Sequence, residues 1–185
     1  MIKKVLKMKI ILVIYKMKTA TSHNIRNRKK ANDIFITPLN LAKKHIQMVK
    51  EYYNKQGKIW YDPFRNSGRY YNNFNEENKK WTEILEGKDF FRFDEKVDCI
   101  CSNCPYSMID KVLEKSIELN PDIISYLLGI HNLTPRRIEY MEKAGYYIQK
   151  LHLCKVHKWY GMSCIVIWAK EPNELLSYDR TYYRE

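Results

Sequence analysis

The alternation of short apolar runs with longer amphipathic segments is the feature that most constrains this fold. Four runs of strand length are rich in β-branched and aromatic residues, namely KIWYDPF, KWTEI, KVDCICSN and PDIISYLLGI. Three segments have apolar residues at helical spacing: one starts at Thr37-Pro38 and stops before Gly57, one covers 108–119, and one starts at Thr134-Pro135. Threonine at a cap, proline at the first turn and glycine beyond the end are typical of helix boundaries. Strands that alternate with helices predict an α/β fold around a mostly parallel sheet.

The C-terminal part of the chain has two more strand-like runs, YYIQKLHLCKV and SCIVIWAKE, joined by HKWYGM. Their closeness along the chain predicts a C-terminal antiparallel hairpin. A weak helix is expected over 70–78, and GKDFFRF is expected to be a loop. Because no repeat or linker divides the chain, we expect a basic N-terminal arm at residues 1–30 and a single domain at residues 31–185.

Positive charge is concentrated at the N-terminus. The chain has 33 Lys and Arg against 21 Asp and Glu, and ten of the basic residues lie in residues 1–30, which have no acidic residue. The cluster Arg26, Arg28, Lys29 and Lys30 could neutralise phosphates of a nucleic acid, although a solvated tail or an extra edge strand would fit the same sequence. No apolar run approaches the roughly 18 residues that a membrane span needs, so no membrane partner is expected.

The five cysteines are too few and too unevenly placed for a disulfide scaffold, which favours a reducing, intracellular setting. A zinc site would have to combine the C-x-C-x-x-C cluster with later residues: Cys99, Cys101, Cys104, His152, Cys154 and His157. Cys99 and Cys101, however, lie in an apolar run that predicts a buried strand, where cysteine packs as a small hydrophobe. No metal is therefore expected.

Polar residues follow the predicted strands at the points where they end. The first strand ends in DPFRNSG (62–68), the second in Glu83-Ile84 with Asp89-Phe90 shortly after, and the third in SNCPY (102–106). Ligands of open α/β sheets bind at the carboxyl ends of the strands. A glycine-containing turn there lets backbone N–H groups approach a ligand, and an acidic residue can accept ribose hydroxyls.

In this order and spacing, the segments of residues 33–170 resemble the S-adenosylmethionine-dependent amino-methyltransferases, above all the DNA adenine (N6) methyltransferases. The resemblance implies a Rossmann-like methyltransferase fold and S-adenosyl-L-methionine as cofactor. It implies that the Thr37-Pro38 segment closes over the methionine part, that Glu83 binds the ribose, and that Asp89 and Phe90 hold the adenine. The implied cofactor-binding residues are Thr37, Pro38, Asp62, Pro63, Phe64, Gly68, Glu83, Ile84, Asp89 and Phe90.

Asn103-Cys104-Pro105-Tyr106 resembles the catalytic Asn-Pro-Pro-Tyr turn of the same family. An exocyclic amine is a poor nucleophile because its lone pair is delocalised, so it must be drawn toward tetrahedral geometry and aimed at the sulfonium methyl. The side-chain oxygen of Asn103 and the carbonyl of Cys104 can each accept one amine hydrogen. No strong base is needed, because positioning is the main contribution. Tyr106 offers a face on which a flipped base can stack.

Two positions depart from the family pattern: Asn66 stands where the loop has its first glycine, and Cys104 where the turn has its first proline. Asparagine tolerates the left-handed region, and the carbonyl of residue 104 persists although the rigidity of proline is lost. The resemblance implies methylation of the exocyclic amine of adenine in nucleic acid, DNA in preference to RNA. Alternatives are an RNA adenine or protein glutamine methyltransferase, or a catalytically degenerate subunit that binds nucleic acid or scaffolds a partner.

No separate target-recognition domain is visible, so substrate contacts must come from loops, the basic arm, a partner subunit or a second copy of the chain. The loops at 131–137 and 157–162 are candidates. Lys158 and Trp159 combine a basic and an aromatic side chain, as a nucleic-acid surface would, although Trp159 could equally pack the hairpin turn.

Overall fold

The computed structural model describes residues 36–156, 161–173 and 176–180 of the 185-residue chain. Within these ranges the main elements are α1 (Leu39–Tyr52), β1 (Trp60–Asp62), β2 (Lys79–Trp81), β3 (Cys99–Asn103), α2 (Ile109–Glu118), β4 (Ile123–Gly129), α3 (Pro135–Lys143), β5 (Tyr147–Cys154) and β6 (Ser163–Ala169). Short 3₁₀ turns lie at Tyr71–Asn73, Ile84–Glu86, Phe90–Arg92, Tyr106–Met108 and Ile130–Asn132.

The six strands form one sheet in the order β2-β1-β3-β4-β6-β5. Strand β1 pairs in parallel with β2 and β3, and β3 pairs in parallel with β4. Strand β6 pairs antiparallel with both β4 and β5. The expected α/β class, with a mostly parallel sheet and a C-terminal antiparallel hairpin, is confirmed. Because β1, β2, β3 and β4 are parallel, their carboxyl ends lie at one edge of the sheet.

Both faces of the sheet are covered, which explains why its central strands are almost wholly apolar. On one face Cys99 and Cys101 pack with Ala42 and Val49 of α1. On the other face Ile100, which lies between these two cysteines in β3, and Ile124 of β4 pack with residues of α2 and α3, namely Val112, Leu113 and Met141. The alternation is that of a strand, whose successive side chains point to opposite faces.

The first helix differs from its expected boundaries. Pro38, not Thr37, occupies the position before the first helical residue, and no side chain caps this end. The hydroxyl of Thr37 instead accepts a hydrogen bond from Asn103, so a long-range contact uses the group that a local cap would need. The helix ends at Tyr52, several residues before Gly57, which has φ +69°.

Two more expectations need correction. The weak helix predicted over 70–78 is only a single 3₁₀ turn at Tyr71–Asn73. The segment GKDFFRF, predicted to be a loop, contains the 3₁₀ turn Phe90–Arg92, because the Asp89 carboxylate accepts the N–H of Phe91 and caps it.

Candidate active site

Asp62, the last residue of β1, is fully buried and hydrogen-bonded. The Ser102 hydroxyl donates to its Oδ1 at 2.6 Å, and the Tyr71 N–H donates to its Oδ2 at 3.1 Å. Burial raises the pKa of Asp62 to about 6, against the opposing effect of these hydrogen bonds. Asp62 therefore joins the carboxyl ends of β1 and β3 to the segment that follows the glycine-containing turn.

The turn after β1 contains two residues in the left-handed region, Asn66 at φ 44° and Gly68 at φ 76°. Asparagine is one of the few residues that adopt this region readily, so its replacement of glycine is compatible with the turn. The N–H of Asn66 donates to Glu83 Oε2 at 2.7 Å, while that of Leu85 donates to Glu83 Oε1 at 3.2 Å. The Glu83 carboxylate thus fastens the turn to the segment that follows β2, and its remaining lone pairs can accept further donors.

Aromatic packing joins the Asp89-Phe90 segment to the end of β1. The ring of Phe90 is 3% exposed and meets the Phe64 ring edge-on, with centroids 5.1 Å apart. Pro63 is held in this layer because its carbonyl accepts the hydroxyl of Thr82 at 2.7 Å. Ile84 is 65% exposed beside the same segment, so it can contact a ligand without any rearrangement of the core.

Asn103, the last residue of β3, has an amide with one satisfied end. Its Nδ2 donates to the buried Thr37 hydroxyl at 3.2 Å, which joins the start of α1 to the end of β3. Its Oδ1 is buried, and among the described residues nothing donates a hydrogen bond to it. Since buried polar atoms are normally paired, this oxygen is an acceptor with room for a further donor.

The turn after Asn103 continues into a 3₁₀ helix at Tyr106–Met108. Cys104 is 3% exposed and packs in the core, while Pro105 is extended at φ −67° and ψ 121°. Tyr106 is half-buried, and its ring meets that of His131 edge-on with centroids 6.4 Å apart.

Hydrogen bonds and ring contacts therefore link the predicted residues of β1, β2 and β3 at the carboxyl edge of the sheet. Their roles toward a cofactor or substrate stay predictions. Sequence reasoning missed Ser102 as the partner of Asp62, although a small polar residue inside an apolar strand was a usable signal. It also missed His45, because a histidine on an amphipathic helix gives no hint of its partners.

His45 is fully buried between α1 and the sheet. Its Nδ1 is 3.0 Å from the Tyr70 hydroxyl, and its Nε2 is 2.7 Å from Ser125 Oγ. Burial lowers the pKa of His45 to about 3, so the ring is neutral at physiological pH. This chain of hydrogen bonds fixes α1, whose start contacts Asn103, to β4 and to the segment after Gly68.

No protein-family model matches the chain, and no curated protein sequence matches it either. Solved structures do match. A Pyrococcus horikoshii protein assigned to the RNA methyltransferases has a TM-score of 0.61 at 17% identity, over 78% of this chain and 90% of its own. A Listeria monocytogenes protein assigned to the class I S-adenosylmethionine-dependent methyltransferases has a TM-score of 0.59 at 9% identity, over 89% and 69%. Magnesium protoporphyrin IX methyltransferase of Synechocystis PCC 6803, with bound S-adenosylhomocysteine, has a TM-score of 0.53 at 11% identity, over 88% and 100%.

The chain has the Rossmann-like fold of the class I methyltransferases. The expected fold class is confirmed at this level, because the order and directions of the strands agree with the α/β sheet that the sequence predicts. At these identities the likeness concerns the fold alone. The residues described above lie at the carboxyl edge of this methyltransferase-like sheet.

Six residues predicted to bind nucleic acid lie outside the described ranges: Arg26, Arg28, Lys29, Lys30, Lys158 and Trp159. Within the described ranges no three His, Cys, Asp or Glu side chains are grouped so as to hold a metal ion. All five cysteines are described, and none forms a disulfide. None of the described helices has the length and apolar character of a membrane span.

Proposed function

We propose that this protein is an S-adenosylmethionine-dependent methyltransferase that modifies the exocyclic amine of adenine in nucleic acid, with DNA preferred to RNA. The fold supports a methyltransferase in general, because solved structures with the same fold contain bound S-adenosylhomocysteine. The choice of an amine as the group that receives the methyl rests on the turn at Asn103. The choice of nucleic acid rests on the family resemblance and on the basic N-terminal sequence.

The residues at the strand ends fit the proposed cofactor. Gly68 and Asn66 hold a left-handed turn in which a backbone can approach a ligand closely, and Glu83 stands beside it with carboxylate oxygens able to accept ribose hydroxyls. The exposed Ile84 offers apolar surface for a purine ring, while Phe90 is buried and packs against Phe64. The cofactor, when bound, supplies an electrophilic methyl group, and these residues would orient it toward the end of β3.

The buried oxygen of Asn103 is the observation on which the proposed reaction rests. In the structure Nδ2 of Asn103 donates to the Thr37 hydroxyl. The amide oxygen is the end that receives no hydrogen bond from the described residues, and it can accept one. A buried acceptor without a donor costs about 1–3 kcal/mol, a cost that a substrate N–H can remove.

An amine fits this acceptor better than a hydroxyl or a carboxylate does. One N–H would donate to Asn103 Oδ1 and the second to the backbone carbonyl of Cys104, which is present whatever the side chain at that position. Withdrawal of both hydrogens from the ring plane would localise the lone pair on nitrogen. The proton that leaves after transfer is acidic enough to pass to water, so the turn needs no dedicated base, and its contribution is orientation.

The test is transfer of labelled methyl groups from S-adenosylmethionine to separate pools of DNA, RNA and peptides. We expect label in DNA, on the amino group of adenine. We also expect Asn103→Ala to abolish transfer while calorimetry records nearly wild-type cofactor binding. Gln47→Ala, a change on the exposed face of α1, is the matched control and keeps full activity. Label in peptides alone would replace the proposal with glutamine methylation, and full activity of Asn103→Ala would remove the turn from the mechanism.

Absence of any cofactor binding at millimolar concentration would favour the catalytically degenerate alternative. The left-handed geometry kept by Asn66 argues against that outcome, because the cofactor turn retains its shape despite the lost glycine. Calorimetry with S-adenosylmethionine therefore precedes the transfer assay and separates a failed cofactor site from a wrongly chosen substrate.

A further inference from the structure

His131 is an exposed side chain whose orientation is fixed by the residues around it. It lies in the 3₁₀ turn Ile130–Asn132 that follows β4. Asn132, which is 8% exposed, places its Nδ2 at 3.2 Å from the Nε2 of His131. Since an amide nitrogen only donates, Nε2 is the accepting nitrogen of the imidazole ring.

A second layer of contacts holds Asn132 in turn. One guanidinium nitrogen of Arg137 donates to the backbone carbonyl of Asn132 at 2.9 Å and lies 3.4 Å from its Oδ1. The Nε of Arg137 donates to Asp110 Oδ1 at 2.7 Å. This hydrogen bond lowers the pKa of Asp110, so the carboxylate stays charged at neutral pH. Helices α2 and α3 thus both contribute to the placement of the His131 ring.

Gly129 supplies the space that the ring occupies. Its backbone, at φ −69° and ψ 134°, is one that any residue adopts, so conformation does not require glycine here. A Cβ at this position, however, would lie 2.6 Å from Cε1 and 3.0 Å from Nδ1 of His131. Any larger residue at this site would displace the imidazole.

The held ring borders the proposed catalytic turn. In the parallel register Asn103 is paired with Leu127, so the residues after β4 run beside those after β3. The rings of Tyr106 and His131 meet at 88° with centroids 6.4 Å apart. Two rings at a right angle form a corner in which a planar base can lie along one ring with its edge against the other.

We propose that the ring of His131 contacts the target base. Together with Tyr106 it forms a corner that holds the base while the exocyclic amine donates a hydrogen bond to Asn103 Oδ1. This inference rests on the proposed function and extends it to a residue outside the turn. An exposed ring that serves only packing has no need of a glycine, an amide and a guanidinium to fix it. The chemical class recognised is a planar heterocycle with an exocyclic amine.

The test measures methyl transfer to the nucleic acid pool that the wild-type protein modifies, with cofactor affinity measured separately. Loss of a base–ring contact predicts that His131→Ala raises the apparent KM for nucleic acid by about tenfold, with cofactor affinity unchanged. His131→Phe, which keeps an aromatic ring, restores most of the loss. Gly129→Ala, which displaces the imidazole without backbone strain, reproduces the defect of His131→Ala. Gln47→Ala, the exposed change on α1, is again the control and behaves as wild type.

An apparent KM within twofold of wild type for His131→Ala overturns the proposal, as does a parallel loss of cofactor affinity or a phenylalanine variant no better than alanine. If the wild-type protein transfers no methyl group, the proposed function fails, and the inference is decided by binding of a single-stranded oligonucleotide that contains 2-aminopurine. Weaker binding by His131→Ala than by His131→Phe then supports the contact, and equal affinities refute it.

Discussion

The buried neutral His45 should make the fold sensitive to mild acid. The Ser125 hydroxyl donates to the carbonyl of Val166 at 2.9 Å, so it must accept from the Nε2–H of His45. The Nδ1 of the same ring then accepts the hydroxyl of Tyr70. This arrangement needs a neutral imidazole, and a proton added in the folded state would place an unsolvated charge beside the sheet.

The magnitude follows from the difference between the pKa values of His45 in the two states, 6.5 in the unfolded chain and about 3 in the folded protein. Below pH 6.5 His45 binds a proton in the unfolded chain but not in the folded protein. The contribution of His45 is therefore complete above pH 6.5 and falls as the pH is lowered toward 3. At about 1.4 kcal/mol per pH unit, the free energy of unfolding loses about 2 kcal/mol between pH 7 and pH 5.

Asp62 acts in the opposite direction over the same interval. Its pKa is raised from the ordinary 3.8 to about 6 in the folded protein, so the folded state takes up its proton first. This uptake adds about 1.3 kcal/mol of stability between pH 7 and pH 5 and offsets about two thirds of the His45 effect. A pH curve of the wild-type protein alone would therefore mislead.

The assay is urea unfolding of the wild-type protein and of His45→Gln at pH 7 and pH 5. Glutamine keeps an amide nitrogen for Ser125 and does not titrate, while Asp62 and the other ionisable groups are common to both proteins. We expect the stability advantage of the wild type over the variant to shrink by about 2 kcal/mol at the lower pH. An advantage that stays constant or grows would refute the assignment of a neutral, buried imidazole.

Three further substitutions test the strand ends. Asp89→Ala should weaken S-adenosylmethionine binding in calorimetry, and an unchanged affinity would remove Asp89 from the site. Gly68→Ala should lower the free energy of unfolding in urea by about 1–2 kcal/mol, because alanine is strained at φ 76° and its Cβ would lie 2.6 Å from Asn72 Nδ2. A stability equal to that of the wild type would contradict the described turn. Ser102→Ala removes the donor to the buried Asp62 and should cost about 1.5–3 kcal/mol; a loss below 0.5 kcal/mol, on the order of an exposed-site change, would mean that this hydrogen bond is not formed.

The sequence predicted the sheet well because its signals are local. Runs such as CICSN and IISYLLG have the length and apolar character of buried strands, and β3 and β4 occupy them. The same logic located the polar residues at the strand ends, since parallel strands bring their carboxyl ends to one edge.

The hydrogen bonds of the candidate site could not be predicted, because they join residues far apart in the chain. Glu83 was expected to face ribose hydroxyls, yet its two oxygens already accept the N–H groups of Asn66 and Leu85. The pairing of His45 with Ser125 spans 80 residues, and neither residue type specifies the other. Sequence patterns indicate which residues are buried and whether they repeat with the period of a helix or a strand. Which side chains become hydrogen-bond partners depends on how the helices and strands pack in the folded chain.

The two Thr-Pro dipeptides differ in whether the threonine caps the helix that follows it. Thr134 caps α3 as the pattern predicts: its hydroxyl accepts the N–H of Arg137, and Pro135 is the first helical residue. Thr37, in the same local sequence context, leaves α1 without a side-chain cap, a cost of about 1 kcal/mol, and accepts Asn103 Nδ2 instead. A fold that forgoes an available cap must regain that stability from the alternative contact, or keep the contact for another reason. Because the contact fixes the one amide whose oxygen is proposed to receive the substrate amine, orientation of Asn103 is the reason that best accounts for the exchange.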